Sequence, residues 1–204
     1  MENIKQIPYG VADFVSVMEQ NLYYVDKTMF LPIMEEQPRF LFFIRPRRFG
    51  KSLFINMMRA YYDKAMTDQF DSLFGSLYIG QHPTPLRGRY QVLYLDFSRA
   101  GGDMKNLEDN FNTYCCDCLN DFIDAYKEDY PQQNVEEMRR STNSIAKFNM
   151  LNNMAARYEK PLYLIIDEYD NFTNIVLNEE GENVYHAITH ASGFYREVFK
   201  KFKG

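Results

Sequence analysis

The chain has 204 residues, 46% of them hydrophobic and 25% charged, with 17 Phe and 16 Tyr but no Trp. That composition supports one substantial globular core and excludes a disordered or low-complexity chain. A net charge of -5 excludes a surface that grips nucleic acid over its whole extent, so any anion site has to be local.

Residues 1–12 read as irregular, punctuated by Pro8 and Gly10, and residues 12–20 as a short helix with Phe14, Val17 and Met18 on one side. Asp26 is placed to cap a second helix running to about residue 36. Pro32 inside it implies a late start or a bend, and Pro38 ends it. The apolar run at 40–44, Phe-Leu-Phe-Phe-Ile, predicts a short strand buried on both faces. It breaks into a Pro-containing loop ending in Gly50-Lys51-Ser52, which opens a helical pattern reaching about Tyr62. That helix turns Leu53, Ile55, Met58, Tyr61 and Tyr62 toward a sheet.

Between 63 and 90, Phe70, Leu73 and Phe74 suggest a short helix, 77–79 an extended piece, and 81–85 a loop. Residues 90–97 predict a second buried strand and 100–102 a turn. A long helix follows over about 106–130, with Leu107, Phe111, Tyr114, Cys118, Phe122 and Tyr126 at three- and four-residue spacing. Pro131 and the polar residues after it read as a break. A helix over about 143–158 faces Ile145, Phe148, Leu151 and Met154 inward. After Pro161, residues 162–166 predict a third buried strand, and 183–202 a final helix. Strands alternating with helices imply an α/β layered fold with a mainly parallel sheet.

Cys115, Cys116 and Cys118 sit within one predicted helix, too close and on the wrong faces for a disulfide framework, and are expected as reduced, partly buried thiols. The N-terminus lacks the layout of a signal peptide, and no apolar run is long enough to span a bilayer. A soluble, cytoplasmic protein with no membrane contact is the expectation.

Strand, loop closing on Gly-Lys-Ser, then helix is the context of a phosphate-binding P-loop, or Walker A motif. Gly50 lets the backbone approach phosphates, and the N–H groups at the helix start point at them. Lys51 supplies a point charge, and the Ser52 hydroxyl is a ligand for Mg2+. The pattern usually has glycine where this chain has Arg45, so the loop is stiffer and, with Arg47 and Arg48, more cationic. The plain alternative is a solvated basic turn.

The third strand ends in Asp167-Glu168, the second element of a nucleotide hydrolase. A carboxylate at the carboxyl end of a buried strand holds Mg2+, and the adjacent Glu168 orients and deprotonates water. The plain alternative here is a solvated strand end. Order and context make the two motifs mutually supporting. Asp96, ending the second strand, is a candidate carboxylate behind the metal. Glu182, His186 and His190 share one face of the last predicted helix, which reads as a polar face since no fourth metal ligand accompanies them. Lys200, Lys201 and Lys203 suit the end of that helix.

Four strings carry a family resemblance: Ile7-Pro8-Tyr9-Gly10, Tyr24-Val25-Asp26-Lys27-Thr28, Arg45-Pro46-Arg47-Arg48-Phe49-Gly50-Lys51-Ser52-Leu53, and Ile165-Ile166-Asp167-Glu168-Tyr169-Asp170. Over nearly its whole length the chain resembles the AAA-ATPase-like family, bacterial P-loop proteins that often carry a nuclease-like domain of the PD-(D/E)XK type behind the ATPase. The resemblance makes the missing first glycine a family trait. It implies an ATP site lined by Arg47, Arg48, Phe49, Gly50, Lys51, Ser52 and Leu53, with Ser52 and Asp167 on Mg2+. Lys51 and Glu168 would be the catalytic pair.

It also implies a P-loop NTPase-like three-layer sandwich over residues 39–204, preceded by a helical extension over 1–38. Family members continue into a strand with a polar sensor residue, placed between the P-loop strand and the Asp167 strand. This chain stops soon after Walker B, so an incomplete sheet with two exposed edges is expected, and ATPase activity is expected of an intact protein rather than of this stretch alone. The readings in play are an ATPase coupled to a partner or downstream domain, a nucleotide-binding regulator without turnover, and a basic-loop nucleic-acid binder. An oligomer is compatible with each.

Overall fold

The computed structural model describes residues 5–46, 49–100 and 106–169, together with Asn174, Leu177, His186 and Arg196. The chain divides into two compact units, residues 1–90 and 91–204.

The first unit is helical. α1 (Phe14–Glu19) starts at Asp13, whose Oδ2 accepts from the Ser16 N–H at 2.8 Å. α2 spans Phe30–Glu35, α3 Lys51–Tyr62, α4 Phe70–Phe74 and α5 Tyr78–Gln81, with a 3-10 turn over Lys64–Gln69. The core is aromatic: Phe14 stacks on Phe74 at 5.0 Å and meets Tyr24 edge-on at 5.2 Å, and Tyr61 of α3 meets Phe74 at 5.6 Å. Leu31, Met57 and Ile79 are fully buried around them. α2 begins late, as Pro32 required, because proline is tolerated only in a first turn that has no N–H bond to lose.

Asp26 does not cap α2. The residue before that helix is Met29, with no side-chain cap, and Asp26 bonds elsewhere. Of the 77–79 segment, expected to be extended, Leu77 is extended as the residue before α5, while Tyr78 and Ile79 open that helix.

The strand expected at 40–44 is not formed. Residues 41–46 belong to no ladder among the described residues, and Phe40, Leu41, Phe42 and Ile44 are 42% to 83% exposed. A strand apolar on both faces is favoured only when neighbours bond its edges and layers cover both sides. Here the covered residue is Phe43, stacked on Phe54 of α3 at 4.9 Å, beside a shallow apolar groove walled by Phe30 and Ile33.

The second unit is α/β. β1 (Gln91–Asp96) and β2 (Leu162–Asp167) pair in parallel, Gln91 opposite Leu162 and Asp96 opposite Asp167. Between them run α6 (Leu107–Tyr126), α7 (Gln132–Arg140) and α8 (Ser144–Arg157). Strand residues alternate faces. Leu93 and Leu95 of β1, with Leu164 and Ile166 opposite, pack with Phe111, Leu119, Phe122, Phe148 and Leu151. Asp96 and Asp167 belong to the other face.

α6 also bonds two N–H groups on β1's outer edge. The Val92 N–H donates to the Tyr126 hydroxyl at 2.9 Å and the Asp96 N–H to the Tyr114 hydroxyl at 2.7 Å. Edge groups satisfied this way no longer invite another strand. At the start of β1, Gln91 is buried and bonded by Tyr130 and Asp129. α7 was expected to be a break. Pro131 is its N-cap, the carbonyl accepting the first helical bond from Asn134 N–H at 2.9 Å, and Val135 and Met138 anchor it in the core. The final helix expected at 183–202 lies outside the described residues. Among those described, no helix is long and apolar enough to cross a membrane.

Candidate functional site

The loop before α3 is built around Gly50. It precedes α3 with φ +74° and ψ 30°, a left-handed conformation that a side chain disfavours, and its carbonyl takes the first helical bond, from Phe54 N–H at 3.0 Å. The loop thereby turns directly into a twelve-residue helix whose first N–H groups, at Lys51, Ser52 and Leu53, have no intrahelical acceptor. No acidic residue stands in that first turn. Lys51, Ser52 and Leu53 are half-buried, and Phe49 is 65% exposed. Arg47 and Arg48 lie outside the described residues.

Arg45, at the position of the missing glycine, braces the loop. Its guanidinium donates to the Phe49 carbonyl at 3.2 Å and lies over the Phe43 and Phe54 rings at 4.9 and 5.6 Å. A second cation arrives from the 24–28 segment. Lys27 Nζ lies 3.9 Å from the point a side-chain carbon on Gly50 would occupy.

The second unit holds the acidic residues that end its strands. Asp167 ends β2, is 3% exposed, and accepts from the Glu168 N–H at 2.9 Å. Glu168 has φ +51°, an uncommon conformation for a residue with a side chain and one that collects at functional sites. Parallel pairing brings Asp96 directly opposite Asp167, so two carboxylates share one strand end and one face. Asp96 Oδ1 accepts from the Ser98 N–H and hydroxyl at 3.0 and 2.7 Å, which holds the turn after β1. Lys51 and Ser52 lie in the first unit, Asp167 and Glu168 in the second.

Among the described residues no group of three His, Cys, Asp or Glu side chains is arranged around a common metal position. His186 is exposed, while Glu182 and His190 lie outside the described residues. Cys115 and Cys116 are buried and Cys118 half-buried, all three as thiols.

The chain is 46% identical over 55 residues to a protein of Azotobacter chroococcum mcd 1 named "Uncharacterized protein in vnfD 5'region", a stretch covering 26% of this chain and 11% of that protein. The matched stretch is thus a small part of the relative's length. No solved structure matches the chain. The AAA-ATPase-like family model, described as predicted AAA-ATPase, matches residues 8–204, and the chain accordingly belongs to that family.

Proposed function

We propose that the chain binds ATP with Mg2+ at the start of α3 and contributes Asp167 and Glu168 to its hydrolysis. The observation that carries this reading is Gly50 in a left-handed turn opening α3 at Lys51, with no acidic residue in the first turn to occupy the helix's positive end. In this reading the N–H groups of Gly50, Lys51, Ser52 and Leu53 seat the phosphates, flanked by Arg47, Arg48 and Phe49, and Lys51 neutralises the terminal ones. The Ser52 hydroxyl and Asp167 carboxylate are hard oxygen donors of the kind Mg2+ takes. Bound there, Mg2+ would offset phosphate charge. Glu168 accepts the proton of the attacking water and, with Asp96 beside Asp167, keeps the strand end acidic.

The finer architecture, a P-loop NTPase-like three-layer sandwich, belongs to the same proposal. In its favour, the tyrosine hydroxyls of α6 occupy β1's outer edge, so further strands would join beside β2. A downstream nuclease-like domain, nucleic acid or a second copy of the chain are the partners this class of module would serve.

The test is titration of MgATP and MgGTP against the wild type and Lys51→Ala, with released phosphate followed in parallel. ATP affinity should fall at least tenfold in Lys51→Ala, about the loss of one charge-assisted hydrogen bond. Unchanged affinity refutes the site. Phosphate release abolished by Glu168→Gln supports hydrolysis. ATP binding with no release in wild type assigns the chain to the regulatory reading instead.

A further inference from the structure

The segment carrying Lys27 is held more tightly than a surface turn needs. Asp26 Oδ1 accepts from the Thr28 N–H at 2.8 Å and from the Thr28 hydroxyl at 2.7 Å, while Oδ2 reaches the Tyr78 N–H at 2.8 Å. Thr28 is fully buried, and its Oγ1 accepts from the Ile79 N–H at 3.1 Å. Lys27 is thus flanked by two residues locked onto α5, with Tyr24 packed on Phe14 just before them. The turn that results sends the Lys27 ammonium to Gly50.

That placement gathers positive charge at the start of α3. Lys27 and Arg45 meet at the turn before α3, where the helix dipole is already positive and the first turn holds no acid. Asp26, the carboxylate nearest in sequence, directs both oxygens to Thr28 and Tyr78. Cations gathered at such an end attract an anion.

We propose that Lys27 is a second phosphate-contacting cation of this loop, delivered to a nucleoside polyphosphate by the Asp26–Thr28 clamp. The proposal rests on the nucleotide reading above. With a phosphate seated on the N–H groups at Gly50 and Lys51, the ammonium reaches an oxygen as a charge-assisted donor.

The test compares MgATP binding by calorimetry in wild type, Lys27→Met, Lys27→Arg and Lys51→Ala, with thermal melting of each. Lys27→Met, which keeps the stem and removes the charge, should weaken MgATP about 10- to 100-fold without lowering the melting temperature, and Lys27→Arg should recover most of the loss. A second measurement needs no variant. MgATP should slow acetylation of Lys27 in the wild-type protein several-fold, read site by site after digestion. If Lys51→Ala loses MgATP and Lys51 is protected from acetylation, while Lys27→Met binds normally and Lys27 is acetylated equally fast with and without MgATP, the proposal is overturned and the loop reading stands. If wild type binds no MgATP, both fall.

Discussion

Thr28→Val isolates the clamp beneath Lys27. Valine fills the same volume, so no cavity opens, but the hydroxyl that donates to Asp26 and accepts from Ile79 is gone. The Ile79 N–H is then left buried without its acceptor. One lost hydrogen bond contributes about 1 kcal/mol and an orphaned buried donor about 1–3 kcal/mol, so a loss of about 2–4 kcal/mol is expected. Thr28→Ser keeps both bonds and removes one methyl group, which costs about 1 kcal/mol. Urea unfolding followed by far-UV circular dichroism measures both, with an unchanged slope licensing the comparison. Valine should be the worse substitution. If serine costs as much as valine, the site is a matter of packing and the bonding argument is wrong.

Glu159 follows α8 with φ +53°, while the Lys160 N–H returns to the Ala155 carbonyl at 2.8 Å, the pattern that closes helices on glycine. Glu159→Gly should therefore raise stability by about 0.5–1 kcal/mol in the same urea assay, and a loss would refute the cap reading. Alkaline pH should destabilise the second unit. Burial pushes the Cys115 thiol well above its ordinary range, the neighbouring Cys118 adding to it, and burial with the Asp129 charge pushes the Tyr130 hydroxyl up to about 12. The folded groups hold protons that the unfolded chain has released. Their stabilisation is complete below the unfolded values, about 8.5 for thiol and about 10 for phenol, and is lost as pH rises past them. Stability that stays flat from about pH 8 to about pH 11 would contradict this.

The elements legible in the sequence are those whose periodicity matches what they pack against. β1 and β2 are short apolar runs flanked by turn residues, and α6 and α8 carry apolar residues at three- and four-residue spacing; each is found within a few residues of its expected bounds. The 40–44 run has the same signature, yet an apolar run specifies only a preference for burial, and its partner is a tertiary matter. α7 was hidden because two core residues, Val135 and Met138, suffice to seat a helix that is otherwise polar. At the site, Gly50 and the acids ending the strands could be read directly. Lys27 could not, because its position depends on bonds from Asp26 and Thr28 to residues some fifty positions away. Nor could the left-handed Glu168, since glutamate advertises no such conformation.

The parallel register of β1 and β2 dictates an order of events during synthesis. No hairpin can join parallel strands, and here the crossover holds α6, α7 and α8. β1 emerges from the ribosome long before its mate, with Val92, Leu93 and Leu95 awaiting cover. α6 comes next, and its tyrosines can fasten β1 by the outer edge while the inner edge stays vacant. The β1–β2 ladder can be zipped only after the whole crossover, by a strand whose final residue is Asp167, so the acidic end of this pair is assembled after α6, α7 and α8 have been made.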